Sequence, residues 1–359
     1  MSGYPDSVPA SDSANLSTMP VATIAPDKFK GSLTADEAAA AMARGVQSAG
    51  FDEVRIVPLA DGGDGTLDAL VAAVGGSRRT IRVTGPLGER VDAEWAQLSD
   101  GTAVVEMARA SGLLLVAGRN DPLRATSRGT GELIAAALRA GAKRVVVGVG
   151  GSATTDGGLG AVETLGWSLL GAEVIVACDV TTTFVDAARL FGPQKGASEA
   201  QVSLLTRRLE RLAEQYESRT GVDVREIEGS GAAGGLAGGL AAIGAKVASG
   251  FDVVADVVGL EAALVGADLV LTGEGRCDAT SFAGKVVGGV LDWAAELGVP
   301  HRGVIAGQVT ADAREEASVW GAQVEALVDR VWQSGEAFTR AATLVEEAAA
   351  DLARRALDQ

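Results

Sequence analysis

Histidine, cysteine and aromatic residues are scarce in this chain, and each scarcity removes a class of function. His301 is the one histidine of 359 residues, so a histidine-based metal site is excluded and a Ser-His-Asp triad is disfavoured. The two cysteines, Cys178 and Cys277, lie far apart. They give neither a disulfide framework nor a zinc spacing, and they fit a reducing compartment. Aromatics make up only 4% of a chain that is 47% apolar, so Ala, Val and Leu must build the core. Positive charge is in deficit, with 31 basic against 47 acidic residues and a net charge of −16. That balance disfavours nucleic acid and anionic membranes as partners and is most simply a device for solubility. The longest uncharged stretch, residues 229–245, is broken by glycines and falls short of a membrane span. Residues 1–20 lack a basic start and an apolar core and read as a disordered Ser/Pro/Asp-rich tail, not a signal peptide. The G-x-x-x-x-G-K-[ST] motif and the protein-kinase signature set are both missing.

What is present is organised around residues 145–160, VVVGVGGSATTDGGLG. A β-branched run breaks into glycines and hydroxyls, and an apolar-periodic segment follows. Strand, glycine loop and helix bring backbone N–H groups together on an anion, most simply a phosphate. The same order is also met in tight βα turns that hold nothing. The spacing Gly148-x-Gly150-x-x-Ala153 further resembles a dinucleotide fingerprint. No clear ribose-binding acid follows about 20 residues on, which counts against an NAD-dependent oxidoreductase.

Along the chain, strands are expected at about 21–25, 54–59, 268–271, 303–306 and 324–328, alternating with helices. Five such units fit a flavodoxin-like parallel sheet. Thr34 and Glu37 form a capping box for a helix over about 35–48. Residues 79–106 alternate as an antiparallel hairpin about a turn at 85–88, which does not belong in a simple doubly wound sheet. The expected fold is therefore α/β with two domains. Residues 21–60 and 266–359 form the flavodoxin-like one, residues 61–265 are a mixed α/β insertion, and the active site lies in the cleft between them. Residues 229–235 should open a small-residue helix with Gly231, Gly235 and Gly239 on one face, and the last helix should cover 335–357.

Carboxylates recur at the expected strand ends: Asp27, Asp61, Asp179 and Glu274, with Asp64 and Asp278 close behind. Lys30, Lys195 and Lys285 occupy the same loops. Asp61 and Asp64 in a glycine-rich loop suit Mg²⁺ or a hydroxyl-rich substrate, although an Asp-Gly turn reads equally well. Arg128, Gly129 and Thr130 open a helix where a carboxylate or phosphate can be held, or where Ser127 or Thr130 simply caps. Acids, lysines and glycine loops together are the inventory of phosphoryl transfer.

These residues resemble the type-1 glycerate kinase family. The likeness is carried by APDKFKGSL (25–33), PLADGGDGT (58–66), TSRGTGELI (126–134), GVGGSATTDGG (148–158), ACDV (177–180), FGPQKGAS (191–198), GSGAAGG (229–235) and TGEGRCD with GK (272–278, 284–285). The resemblance implies ATP- and Mg²⁺-dependent phosphorylation of D-glycerate in the cytoplasm, leaning toward 2-phosphoglycerate; the sequence leaves monomer and homodimer both open. It implies Asp179 as the base, with Asp61 and Lys195 beside it in catalysis. Asp27, Lys30, Asp61, Arg128, Gly129 and Thr130 would bind substrate. Gly150, Gly151, Ser152, Asp156, Glu274, Gly275 and Lys285 would bind ATP, and Glu274 and Asp278 would position the metal. The chain departs from the family at Lys28, usually Ser, at Asp64, usually Glu, and at Thr155, usually Asn. The connection before ACDV is also shortened, and Thr181, Thr182 and Thr183 follow in place of an Asn-Pro segment. That departure leaves a second reading open, a non-catalytic or altered-specificity relative that binds a sugar acid and a nucleotide.

Overall fold

The computed structural model describes residues 19–59 and 65–358. Most of the expected N-terminal tail, and Asp61 and Asp64, lie outside them. Eleven strands among the described residues form two sheets. The first contains β1 (Val21–Ile24), β2 (Glu53–Ile56), β9 (Leu269–Cys277), β10 (His301–Val309) and β11 (Ala322–Ala326) in the order β11-β10-β9-β1-β2, all parallel. Counted within the sheet this is the flavodoxin-like order 2-1-3-4-5, whose switch point lies between β1 and β9. The second contains β3 (Gly76–Thr84), β4 (Arg90–Leu98), β5 (Ala103–Glu106), β6 (Arg144–Gly148), β7 (Glu173–Ala177) and β8 (Lys246–Ala248) in sequence order. Its hairpin half is antiparallel and β5 to β8 run parallel.

Local chemistry sets the element ends. Thr34 and Glu37 make the expected capping box on the helix Ala35–Ala49, and Ser198 and Gln201 make another on Glu199–Thr220. Helix Ala35–Ala49 packs tightly on Ala341–Leu357 because Gly45 has no side chain to meet the Glu346 carbonyl. Ile24, Met42, Leu271, Ile305 and Leu344 share the core of that layer. Trp95, Met107, Leu133, Val147 and Leu240 share the core of the second sheet. A third cluster joins the two: Val57 and Leu59 after β2, Leu98 and Val104 of the mixed sheet, and Phe251 and Val254 of the helix Gly250–Val258.

Three elements differ from expectation. β9 continues through residues 272–277 because β10 pairs with it as far as Val309, so Glu274 and Gly275 sit on a strand and not in a loop. The C-terminal helix is two, Ser334–Thr339 and Ala341–Leu357. The small-residue helix Ala232–Ala242 is broken at its start by Ala233, Gly234 and Gly235, all left-handed. Gly231 and Gly235 therefore do not share a helical face. The Thr154 carbonyl approaches Gly234 so closely that no Cβ fits there.

Candidate functional site

β6 and β7 run in register, Val147 beside Val176, and release two loops at their carboxyl ends. A cavity of about 430 Å³ opens there, walled by residues 149–152, by Cys178, Asp179 and Val180, and by Ala232 and Ala233. Leu113, Val149, Ala177, Val180 and Phe191 make much of its surface apolar. Ala233 stands at φ 54° and ψ 37°, a conformation that costs a residue with a Cβ about 1–2 kcal/mol. The turn is held from behind, since the Gly157 N–H donates to the Gly234 carbonyl at 3.0 Å.

Cys178, Asp179 and Val180 are also one wall of a second cavity, of about 440 Å³. Its other walls include Thr181, Glu228 and Ser249, and Ala283 and Gly284 from the parallel-sheet side. Asp179 accepts the Gly250 N–H at 2.8 Å. That amide belongs to the first turn of Gly250–Val258, so the carboxylate sits at the positive end of a helix. The Cys178 thiol is buried and donates to the Val180 carbonyl at 3.3 Å. Burial pushes it above its ordinary range, and burial first of all pushes Cys277 up to about 11. Both thiols are packing groups.

At the switch point of the parallel sheet, the Asp27 N–H donates to the Gly273 carbonyl at 2.8 Å, and Glu274 follows on β9. Burial raises the Glu274 carboxyl above its usual range; the negative charge of Asp27 adds to this and the Ser281 hydroxyl partly offsets it. Glu274 Oε1 is buried without a hydrogen-bond partner. Such an oxygen beside a second acid calls for a proton or a hard cation, so the pair fits Mg²⁺, which binds through one or two carboxylates and completes its shell with water and phosphate. Among the described residues no three acidic, His or Cys side chains converge on one point. Asp278 turns to Thr280, accepting its N–H at 3.0 Å and its hydroxyl at 2.7 Å, and these bonds lower its pKa. Lys285 Nζ donates to the same hydroxyl at 2.9 Å.

Other expected site residues are placed elsewhere. Gly275 packs against the Lys30 backbone, where a Cβ would lie 2.7 Å from its nitrogen. The two share a separate cavity of about 250 Å³ with Arg276, Gln308 and Phe338. Lys195 is 2% exposed and donates from Nζ to the Thr154 carbonyl at 2.6 Å. Asp156 accepts from Ser127 N and Oγ at 2.8 and 2.9 Å and from Gly158 N at 3.1 Å. It thereby ties the glycine loop to the helix Arg128–Arg139. Ser127 thus makes a tertiary bond in place of the expected cap. Gly129 is pressed on the Thr84 carbonyl, Thr130 donates to Ser111 at 2.9 Å, and exposed Arg128 lies 3.4 Å from Glu132. None of these three lines either cavity at Asp179.

One residue escaped sequence reading. Glu106, at the end of β5 and 5% exposed, accepts the N–H groups of Gly65 and Leu67 at 2.9 and 3.0 Å and pairs with Arg109 at 2.6 Å. It caps the helix Thr66–Val74 from 41 residues away in sequence. The only signal was an acid at a strand end, without a motif around it.

A parallel sheet of order 2-1-3-4-5 joined to a mixed sheet, with cavities at strand ends, defines a two-domain α/β protein with ligand-sized crevices where such folds bind. The sequence model described as the glycerate kinase family matches residues 22–174 and 168–357. The chain therefore belongs to the glycerate kinase family and is a kinase. It is 44% identical over 326 residues to the Glycerate 2-kinase of Escherichia coli (strain K12), covering 80% of this chain and 85% of that one. It is 41% identical over 371 residues to the Glycerate kinase of Bacillus subtilis (strain 168), covering 92% and 96%. A crystal structure from Salmonella typhimurium LT2, described as a glycerate kinase 2, superposes with a TM-score of 0.78 at 35% identity, covering 95% of this chain and 99% of that one. The two family matches meet at residues 168–174, where the connection before β7 is short.

Proposed function

We propose that this protein transfers the γ-phosphoryl group of ATP to the 2-hydroxyl of D-glycerate. The observation that carries the reading is the position of Asp179, a shared wall of two adjoining cavities. The first has the apolar surface an adenine needs and the bare glycine backbone that lets phosphates approach. The second has polar side chains in Asp179, Thr181, Glu228 and Ser249 and is bounded by Ala283 and Gly284 from the parallel-sheet side, which suits a small hydroxy acid. Asp179 takes the proton of the acceptor hydroxyl, the oxygen bonds to the γ-phosphorus, and the bond to the β-phosphate oxygen breaks to release ADP. Bound Mg²⁺ offsets the charge of the phosphates. Asp27 and Glu274 would hold it, with Asp278, whose Oδ1 accepts from Thr280, close behind them. Lys195 acts by holding the Thr154 carbonyl, and so the glycine loop, in place. Lys285 and Lys30 supply positive charge near the strand ends. The two free thiols suit a reducing compartment such as the cytoplasm. The domain division at residues 61 and 265 is part of the same reading, which makes the second cavity an interdomain one. The choice of O2 is supported by the name of the E. coli relative.

The test is turnover of D-glycerate with ATP and Mg²⁺, the product resolved by phosphorus NMR. Asp179→Asn should lower kcat by roughly a hundred- to ten-thousand-fold with only a small drop in melting temperature, since the amide oxygen still accepts the Gly250 N–H and only the charge facing the helix is lost. Full activity in that variant would remove Asp179 as the base, and a product phosphorylated at C3 would overturn the regiochemistry. The short connection before β7 supports one other reading, altered acceptor choice. It predicts ATP turnover with another hydroxy acid and none with glycerate.

A further inference from the structure

The glycine loop has a second half that the proposed reaction does not use. Residues 149–152 wall the first cavity at Asp179, whereas Thr155, Asp156 and Leu159 wall a different one, of about 330 Å³, closed by the helix Glu199–Thr220. We propose that this cavity binds an organic carboxylate with an apolar body, and that its occupancy stiffens the glycine loop.

Four observations carry the assignment. Arg208 and Arg211, one turn apart on the helix, both reach the cavity. Arg208 donates to the Leu123 carbonyl at 3.0 Å, while no hydrogen bond or ion pair ties Arg211 to the described residues. Asp156 is the one acid among the lining residues, and its carboxylate is already spent on Ser127 and Gly158. The local charge is therefore positive on a chain whose net charge is −16, and paired guanidinium groups select carboxylates. The floor is apolar, with Leu159 and Leu212. Finally, Thr155 is 2% exposed and its hydroxyl has no partner, a donor that a buried site normally satisfies.

The loop can pass the effect on. Gly157, next to Asp156, donates to the Gly234 carbonyl and accepts the Tyr216 hydroxyl at 2.9 Å. Gly234 belongs to the left-handed turn that begins at Ala233, a wall of the first cavity. A ligand that orders Thr155 and Asp156 thus restrains that turn as well.

Naphthoate is a suitable probe, with its uncharged amide as control. Calorimetric titration of the full chain should show saturable binding of one naphthoate, and binding of the amide about tenfold weaker or less. Arg211→Glu should weaken naphthoate by about tenfold or more, while Arg207→Glu, the same charge change outside the cavity, should leave it unaltered. Amide hydrogen exchange at residues 155–160 should slow on binding in the native chain and not in Arg211→Glu. The proposal falls if naphthoate does not bind, if the amide binds equally well, if Arg207→Glu matches Arg211→Glu, or if the loop amides do not respond. Melting curves of both variants exclude misfolding as the cause.

Discussion

Lys195 shows how far a residue's role depends on contacts that its neighbours in sequence do not announce. As a lysine in a polar loop it reads as a free cation awaiting phosphate. In the fold it is 2% exposed, and burial drives its pKa down to about 7 against the opposing pull of Asp156. An unfolded lysine holds its proton to about pH 10.4. Between those two values the unfolded chain binds more protons than the folded one, so this residue's contribution to stability rises with pH. Below about pH 7 both states carry the proton and the contribution stays at its lowest. Urea unfolding of the native chain and of Lys195→Met should therefore show the variant's relative stability greatest near pH 7 and declining toward about pH 10. A difference independent of pH would mean that the folded lysine keeps its proton. Glu106 makes the same point from the other side. Its partners Gly65 and Leu67 lie 41 and 39 residues away, and nothing near residue 106 predicts them.

Elements were legible where their ends are local. The capping box of Thr34 and Glu37 and the hairpin about residues 85–88 needed only neighbours within a few positions. The left-handed turn at Ala233 was not, because small residues read as helix until the Thr154 carbonyl is brought against them. The short connection before β7 was visible as a missing length, but its geometry was not. Gly166, Trp167, Leu170 and Gly171 all have positive φ, the two larger residues at 63° and 54°. Trp167 is held there, its ring 5.6 Å from Tyr216 and beneath the Arg219 guanidinium at 3.8 Å. Leu170 is 75% exposed and has no such packing to offset the strain. Leu170→Gly removes about 1–2 kcal/mol of left-handed strain and adds about 0.5–1 kcal/mol of unfolded-state entropy. The variant should be more stable, by up to about 1.5 kcal/mol, in denaturant titration. A loss of stability would show that the connection carries no strain at that residue.

At the scale of the whole molecule, strand and helix alternation was enough to read a five-stranded parallel sheet, and a single antiparallel hairpin was enough to require a second one. The join between them was not readable, because it is built from single residues far apart in the chain: Ala25 and Val57 after β1 and β2, Leu98 and Val104 of the mixed sheet, and Phe251. Phe251 is 1% exposed, stands edge-on to Trp293 with ring centroids 6.3 Å apart, and fills the space left by the missing side chain of Gly289. It also follows Gly250, whose N–H holds Asp179. One side chain therefore supports both the union of the sheets and the carboxylate between the two cavities. Phe251→Ala should cost about 3–5 kcal/mol, and the loss falls on the join and not on either sheet's own core. The native chain should unfold in one calorimetric transition and the variant in two, because the sheets no longer stabilise one another. Its kcat should fall as well, since the first turn of the helix that anchors Asp179 loses its packing. A single transition merely shifted to lower temperature would mean that the remaining contacts across the join suffice, and that Phe251 serves the helix alone.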